Sequence, residues 1–262
     1  MRWKSRQCPL PFRHSPHYAG GMAESLPLTL GDLVALAFFL AVWVVHGLAA
    51  GGHITRRVSL TTAMNAQRLA WMRTMGRREL RMIDTSIMVG LQQGTAFFAS
   101  SALIAIGGCF ALLNASDHVL MIVADVPLAA QPSRQAFEFK VLGLIAILAH
   151  AFFKFGWSYR LFNYCSILVG AVPMHKDAAH DPAELEAGIE RAACMNMLAG
   201  AHFNAGLRAI FFSIAYLGWF INPAALALTT CLLFAVLLHR QFFSEARRVA
   251  LGEGSRDQAV GQ

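Results

Sequence analysis

The stretch from Arg208 to Arg240, RAIFFSIAYLGWFINPAALALTTCLLFAVLLHR, decides the fold. Between its two terminal arginines it carries no Asp, Glu, Lys or Arg, and its only break is Asn222-Pro223. A bilayer core about 30 Å thick takes about twenty helical residues at about 1.5 Å each. The stretch is therefore too long for one crossing and fits two helices with a turn. Asn and Pro are turn residues, and Pro drives the residue before it out of the helical region. The reading is a helical hairpin. Its alternative is a single Pro-kinked helix, which membrane proteins tolerate.

Three further regions meet the spanning criterion. Residues 30–50 are free of charge after Asp32, and residues 87–113 lie in an uncharged run between Asp84 and Asp117. Residues 137–159 carry Lys140 at one end and Lys154 inside. The expected fold is all-α and polytopic, with about five transmembrane helices (alternatively four) and cytoplasmic helical extensions. Of the 262 residues, 56% are hydrophobic and 14% charged, a balance that one soluble core of this size could not hide. Residues 26–250 read as a single helical transmembrane domain. Residues 1–25 read as a disordered extension, with Met22 as the expected true start, and residues 251–262 as a disordered tail.

Charge sets the expected orientation. The segment between the first two spans holds Arg56, Arg57, Arg68, Arg73, Arg77, Arg78 and Arg81, and by the positive-inside rule it faces the cytoplasm. The loop over 114–136 has one base, Arg134, against Asp117 and Asp125, and faces the other side. Five crossings leave the tail with Arg240, Arg247 and Arg248 in the cytoplasm and the N-terminus in the periplasm of a bacterial inner membrane. The formal charge of +7 belongs to this topology. No zinc, helix-turn-helix or aromatic-plus-basic pattern accompanies it, so no nucleic-acid partner is expected.

Residues 64–90 read as one basic amphipathic helix leading into the second span, with Leu69, Met72, Met75, Leu80, Ile83 and Ile87 at three- to five-residue steps. Its arginines Arg68, Arg73, Arg77 and Arg78 are candidate contacts to anionic lipid headgroups, beside the plainer role of setting topology. A second candidate set is a polar and ion-pair cluster of Arg81, Asp84, Gln92, Gln93, Lys154, Arg160 and Asn163. Asp84 is expected to pair with Arg81, Lys154 or Arg160, because an ionisable group beside a span is costly unless paired or hydrated. Gly47-x-x-x-Gly51, Gly90-x-x-x-Gly94 and Ala96-x-x-x-Ser100, with Gly107 and Gly108, permit close helix approach, within the chain or in a homo-oligomer. Asp181-Pro182-Ala183-Glu184 starts a helix that runs to Asn222 and whose first half protrudes into the cytoplasm.

Chemistry is sparse. The five cysteines include no C-x-x-C pair and read as buried small hydrophobes. His175 and His180 share a loop but lack a third ligand, so no metal is expected. No P-loop, G-x-S-x-G, H-E-x-x-H or Rossmann fingerprint occurs, and neither a cofactor nor an enzymatic activity is expected.

Three stretches together resemble the bacterial branch of the family called domain of unknown function 599. They are WMRTMGRRELRMIDTSIMVGLQQGTAFFASSALIAIGGCFALL from Trp71, FKFGWSYRLFNYCSILVGAVP from Phe153, and HFNAGLRAIFFSIAYLGWFINP from His202. The resemblance covers nearly everything after Leu26 and implies a multi-pass membrane protein of no assigned activity. A pore or carrier for a small solute or ion is the most concrete expected role, with Gln92, Gln93, Lys154 and Asn163 reached by water. A non-catalytic scaffold that binds anionic lipid comes second. A membrane enzyme using His150, His202 and Asn163 comes third.

Overall fold

The computed structural model describes residues 28–52, 57–124, 133–174 and 182–252. The expected N-terminal extension, His175, His180, Asp181 and nearly all of the tail lie outside them. The helices are α1 (Leu30–Ala50), α2 (Leu60–Arg77), α3 (Met82–Asn114), α4 (Ser116–Ala124), α5 (Arg134–Ala171), α6 (Pro182–Tyr216), α7 (Pro223–Phe242) and α8 (Glu245–Ala250). No strand occurs among the described residues. The chain is all-α and polytopic, with α1, α3, α5 and α7 long and apolar enough to cross a membrane.

The hairpin at Asn222-Pro223 forms. After α6 a 3-10 turn, Leu217–Phe220, leads to Asn222, whose extended backbone and side chain cap α7 by accepting from the Ala225 amide at 2.7 Å. Pro223 takes the first helical position, where no amide is needed. α7 then folds back along α6: the Thr229 hydroxyl donates to the Ala215 carbonyl at 2.7 Å, and Arg240 stacks over the Phe211 ring at 5.8 Å. The two helices meet where Gly218 leaves room, since a Cβ there would lie 2.6 Å from the Thr229 hydroxyl. A kinked single helix is excluded.

α6 contains Asn196, His202, Asn204 and Arg208, so composition alone does not mark it as a span. Its packing shows that it shares the depth of α5. Going from the end of α6 to its start, Tyr216 donates to the Lys140 carbonyl, Gly206 faces the Phe155 ring, Ser158 donates to the Ala199 carbonyl, and Cys165 donates to the Ala192 carbonyl. The partners run in opposite directions along both helices, which makes α6 the fifth long helix of the bundle.

One end of the bundle is closed around Trp219. The Trp219 indole donates to Asp32 at 2.7 Å, Asp32 also caps α1 through Thr29, and Lys140 donates to the Trp219 carbonyl at 2.9 Å. Lys140 lies 3.8 Å from the Asp32 carboxylate, and both side chains are buried. This pairing ties the starts of α1 and α5 to the end of α6. The sequence marked both residues only as edges of spans.

The opposite end is basic, and here the expected continuous helix over 64–90 is corrected. It breaks at residues 78–81, where Arg78 takes an extended backbone, and the chain reverses. α2 stands beside α6, with Arg68 against Gly200 and Gly76 against Ile189. Its Met72 and Met75 enter a second core with Met88, Phe162, Val169 and Ala192. The physical reason is that α5 (38 residues) and α6 (35 residues) are about 50–60 Å long and outrun any bilayer, so their ends offer an apolar groove that α2 fills. The helix that carries the expected span over 137–159 likewise runs on to Ala171.

Candidate functional site

α1 ends at Gly51 and Gly52, and the positive φ of Gly52 (78°) turns the chain away. Ser59, fully buried, caps α2 and donates to the Ala50 carbonyl at 3.2 Å, so the end of α1 and the start of α2 are held together. α7 ends beside them, with Gln241 donating to Thr61 at 2.8 Å. Between these three helix ends and the middle of α6 lies a cavity of about 260 Å³.

Its polar lining is basic. Arg68 from α2, Arg208 from α6, Arg240 from α7 and His46 from α1 all face it, together with Asn204 and Gln241. No Asp or Glu lines it among the described residues. The Arg208 Nε is buried and has no hydrogen-bond partner among the described residues, and both ring nitrogens of His46 are in the same state. Arg208 packs its guanidinium against Gly47, which gives that glycine an intramolecular role. Arg240 is exposed at the rim and lies over the Phe211 ring face. Arg68 donates through Nη1 to the carbonyl and side-chain oxygens of buried Asn196. Burial lowers the pKa of Arg68 from the usual guanidinium value, yet a guanidinium remains charged. Buried donors and cations without acceptors are unfavourable, so this pocket is complementary to an anion.

The expected polar cluster is not one site. Asp84 is fully buried and pairs with Arg78 at 2.6 Å and the Trp71 indole at 2.7 Å, not with Arg81, Lys154 or Arg160. Arg81 is spent on the carbonyls of Val169, Val172 and Pro173, where it closes the end of α5. Gln92 donates to Ser166 at 3.0 Å, Gln93 is exposed, and Arg160 folds onto Tyr164. Lys154 and Asn163 are half-buried, without side-chain partners among the described residues. The chain reversal at 78–81 is the cause, since it carries Asp84 back toward Arg78.

The four candidate headgroup arginines also separate. Arg68 and Arg78 point into the protein as described, Arg73 reaches Glu186 at 3.5 Å with both side chains exposed, and Arg77 is exposed without a partner among the described residues. His150 packs edge-on against Trp43, and His202 packs edge-on against Trp157. On α3, a Cβ added at Gly90, Gly94, Gly107 or Gly108 would meet nothing within 4 Å. Those glycines leave open space beside α3 and pack closely against no other helix among the described residues.

The residues that matter in the pocket, His46, Asn204, Arg208, Arg240 and Gln241, were not singled out from the sequence. One signal was available. Arg208 and Arg240 bracket the uncharged stretch on either side of Asn222-Pro223, and a hairpin at that turn must bring its two ends together.

The family model described as "Protein of unknown function, DUF599" matches residues 34–246. The chain belongs to this family. The span shared with DUF599 begins inside α1 and ends inside α8, so it contains every residue of the pocket. No curated protein and no solved structure matches the chain.

Proposed function

We propose that this DUF599 protein is a non-catalytic membrane protein that binds an anion in the pocket between α1, α2, α6 and α7, with the basic end of the bundle in the cytoplasm. The observation that carries the proposal is the Arg208 guanidinium, buried at Nε without a partner in a cavity that also holds Arg68, Arg240 and His46 and no carboxylate. Guanidinium forks match the geometry of oxyanions, so the ligand class is a phosphate or carboxylate.

The orientation has its support in the gathering of Arg57, Arg73, Arg77, Arg78, Arg191, Arg247 and Arg248 at this end, against Arg134 and Lys140 at the other. It places the end of α7 in the cytoplasm of a bacterial inner membrane. A pore or carrier has less behind it. Three polar side chains of α3 that could line a water path are locally engaged: Thr95 and Ser101 donate to carbonyls of their own helix and Gln92 to Ser166.

Thermal unfolding of the detergent-purified protein tests the proposal, with glycerol 3-phosphate in solution and phosphatidylglycerol in mixed micelles as probes. A ligand at one hundred times its Kd stabilises the folded state by about 2.7 kcal/mol. At least one probe should raise the melting temperature of the wild type, and Arg208→Gln should abolish the rise. Indifference of the wild type to both probes would end the anion reading.

A further inference from the structure

We infer that the anion is the phosphodiester of an anionic phospholipid of the adjoining leaflet, its headgroup seated in the pocket and its acyl chains lying outside along α1 and α7. This rests on the anion reading of the pocket. Depth is the first argument. α1 and α7, with 21 and 20 residues, are each about 30 Å long and match the hydrocarbon thickness. Their C-terminal ends, Ala50 and Gln241, therefore sit at the level of lipid phosphates. His46 lies one turn further in, about 6 Å by helical rise, so the pocket floor is just below that level.

Size is the second argument. A cavity of about 260 Å³ falls below the ~300–1,000 Å³ usual for whole drug-sized ligands. It has room for a headgroup, and the chains must stay outside.

The lining supplies the third argument. Leu60, Met64, Leu207, Phe211 and Leu237 alternate with the bases, a mixture suited to an amphiphile. Beyond the pocket the surface of the same two helices is apolar and exposed at Val44, Val45 and Leu48 of α1 and at Leu232 and Val236 of α7. Acyl chains leaving the pocket would run along these side chains. The opening is at the rim, where Arg240 and Met64 are exposed, while Arg208 Nε and His46 form the buried floor. In this arrangement Arg240 meets the phosphate first and Arg208 completes its coordination. Arg68, which holds Asn196 through Nη1, joins the headgroup to the cytoplasmic half of α6.

The experiment compares three probes on the full-length protein in neutral detergent: phosphatidylglycerol, phosphatidylcholine of equal chain length, and soluble glycerol 3-phosphate. Melting temperature and retained lipid in native mass spectrometry are the readouts. Phosphatidylglycerol should stabilise at mole fractions where phosphatidylcholine does not, and glycerol 3-phosphate should require far higher concentration. Arg208→Gln and Arg240→Gln should each weaken phosphatidylglycerol binding about tenfold, the usual loss with a charge-assisted bond. Arg240 is exposed, so its variant keeps the test open if Arg208→Gln fails to fold. Glycerol 3-phosphate acting as well as the lipid would overturn the lipid source and leave the anion reading standing. Phosphatidylglycerol and phosphatidylcholine acting alike, with both variants unaffected, would overturn the headgroup assignment. Silence from every probe would remove both readings.

Discussion

Asp84 offers the sharpest test of how the basic half of the bundle is held together. Its side chain is fully buried and accepts from Arg78 at 2.6 Å and from the Trp71 indole at 2.7 Å, so it joins α3 to the end of α2. Asp84→Ala removes two hydrogen bonds to one carboxylate, each charge-assisted and worth about 1.5–3 kcal/mol before any discount for exposure. Arg78 is 36% exposed and can turn to water, which pulls the total to about 2–3 kcal/mol. Arg78→Ala does something different, because the carboxylate it abandons stays buried. Breaking a buried pair in this way costs about 3–5 kcal/mol, so losing the arginine should be at least as damaging as losing the aspartate. The double variant should be clearly less damaging than the two losses added together. Arg81→Ala, whose partners are the carbonyls at the end of α5, should combine additively with Asp84→Ala. The assay is a double-mutant cycle from reversible unfolding in detergent. Additivity between Arg78 and Asp84, or strong coupling between Arg81 and Asp84, would refute the assignment.

Other substitutions separate helix faces. Gly206→Ala would place a Cβ 2.7 Å from the Phe155 ring and should cost about 1–3 kcal/mol in the same unfolding assay. Gly94→Ala meets nothing within 4 Å and should be neutral or stabilising by up to about 1 kcal/mol in the monomer; a loss of monomer stability would show that this face of α3 is packed after all. Trp219→Phe removes the indole bond to Asp32 at the closed end and should lower the melting temperature by several degrees, while Lys140→Met should do the same by stranding the Trp219 carbonyl. In ligand-free protein at low salt, Arg240→Gln should leave stability unchanged or raise it, since it thins a cluster of like charges; a clear loss would mean that an anion is not what neutralises the pocket.

Much of this architecture could be read from the chain because bilayer thickness imposes a length on apolar runs. Residues 30–50 give α1 to the residue, and Asn222-Pro223 gives the hairpin because its turn chemistry is local. The break at 78–81 was hidden. Arginine is a good helix former and the apolar period continues from Leu69 to Ile87, so nothing local ends the helix. The reversal comes from tertiary contacts instead, with Arg78 drawn to Asp84 and Arg81 to the end of α5. The pocket was hidden for a related reason. Its lining comes from four helices, and Arg68, Arg208 and Arg240 are far apart in the chain. Only the register of α6 against α7, together with the groove that α2 fills, places them around one cavity.

A crossing of the bilayer by α6, with the turn at Asn222-Pro223, requires the turn and the α2–α3 reversal to lie on opposite faces. Single cysteines at Ile221 and Leu80, both exposed, can be placed in a variant lacking the native cysteines and treated in intact cells with a membrane-impermeant maleimide. The account predicts labelling of Ile221→Cys from outside and of Leu80→Cys only after the membrane is opened. Labelling of both positions from the same side would contradict it.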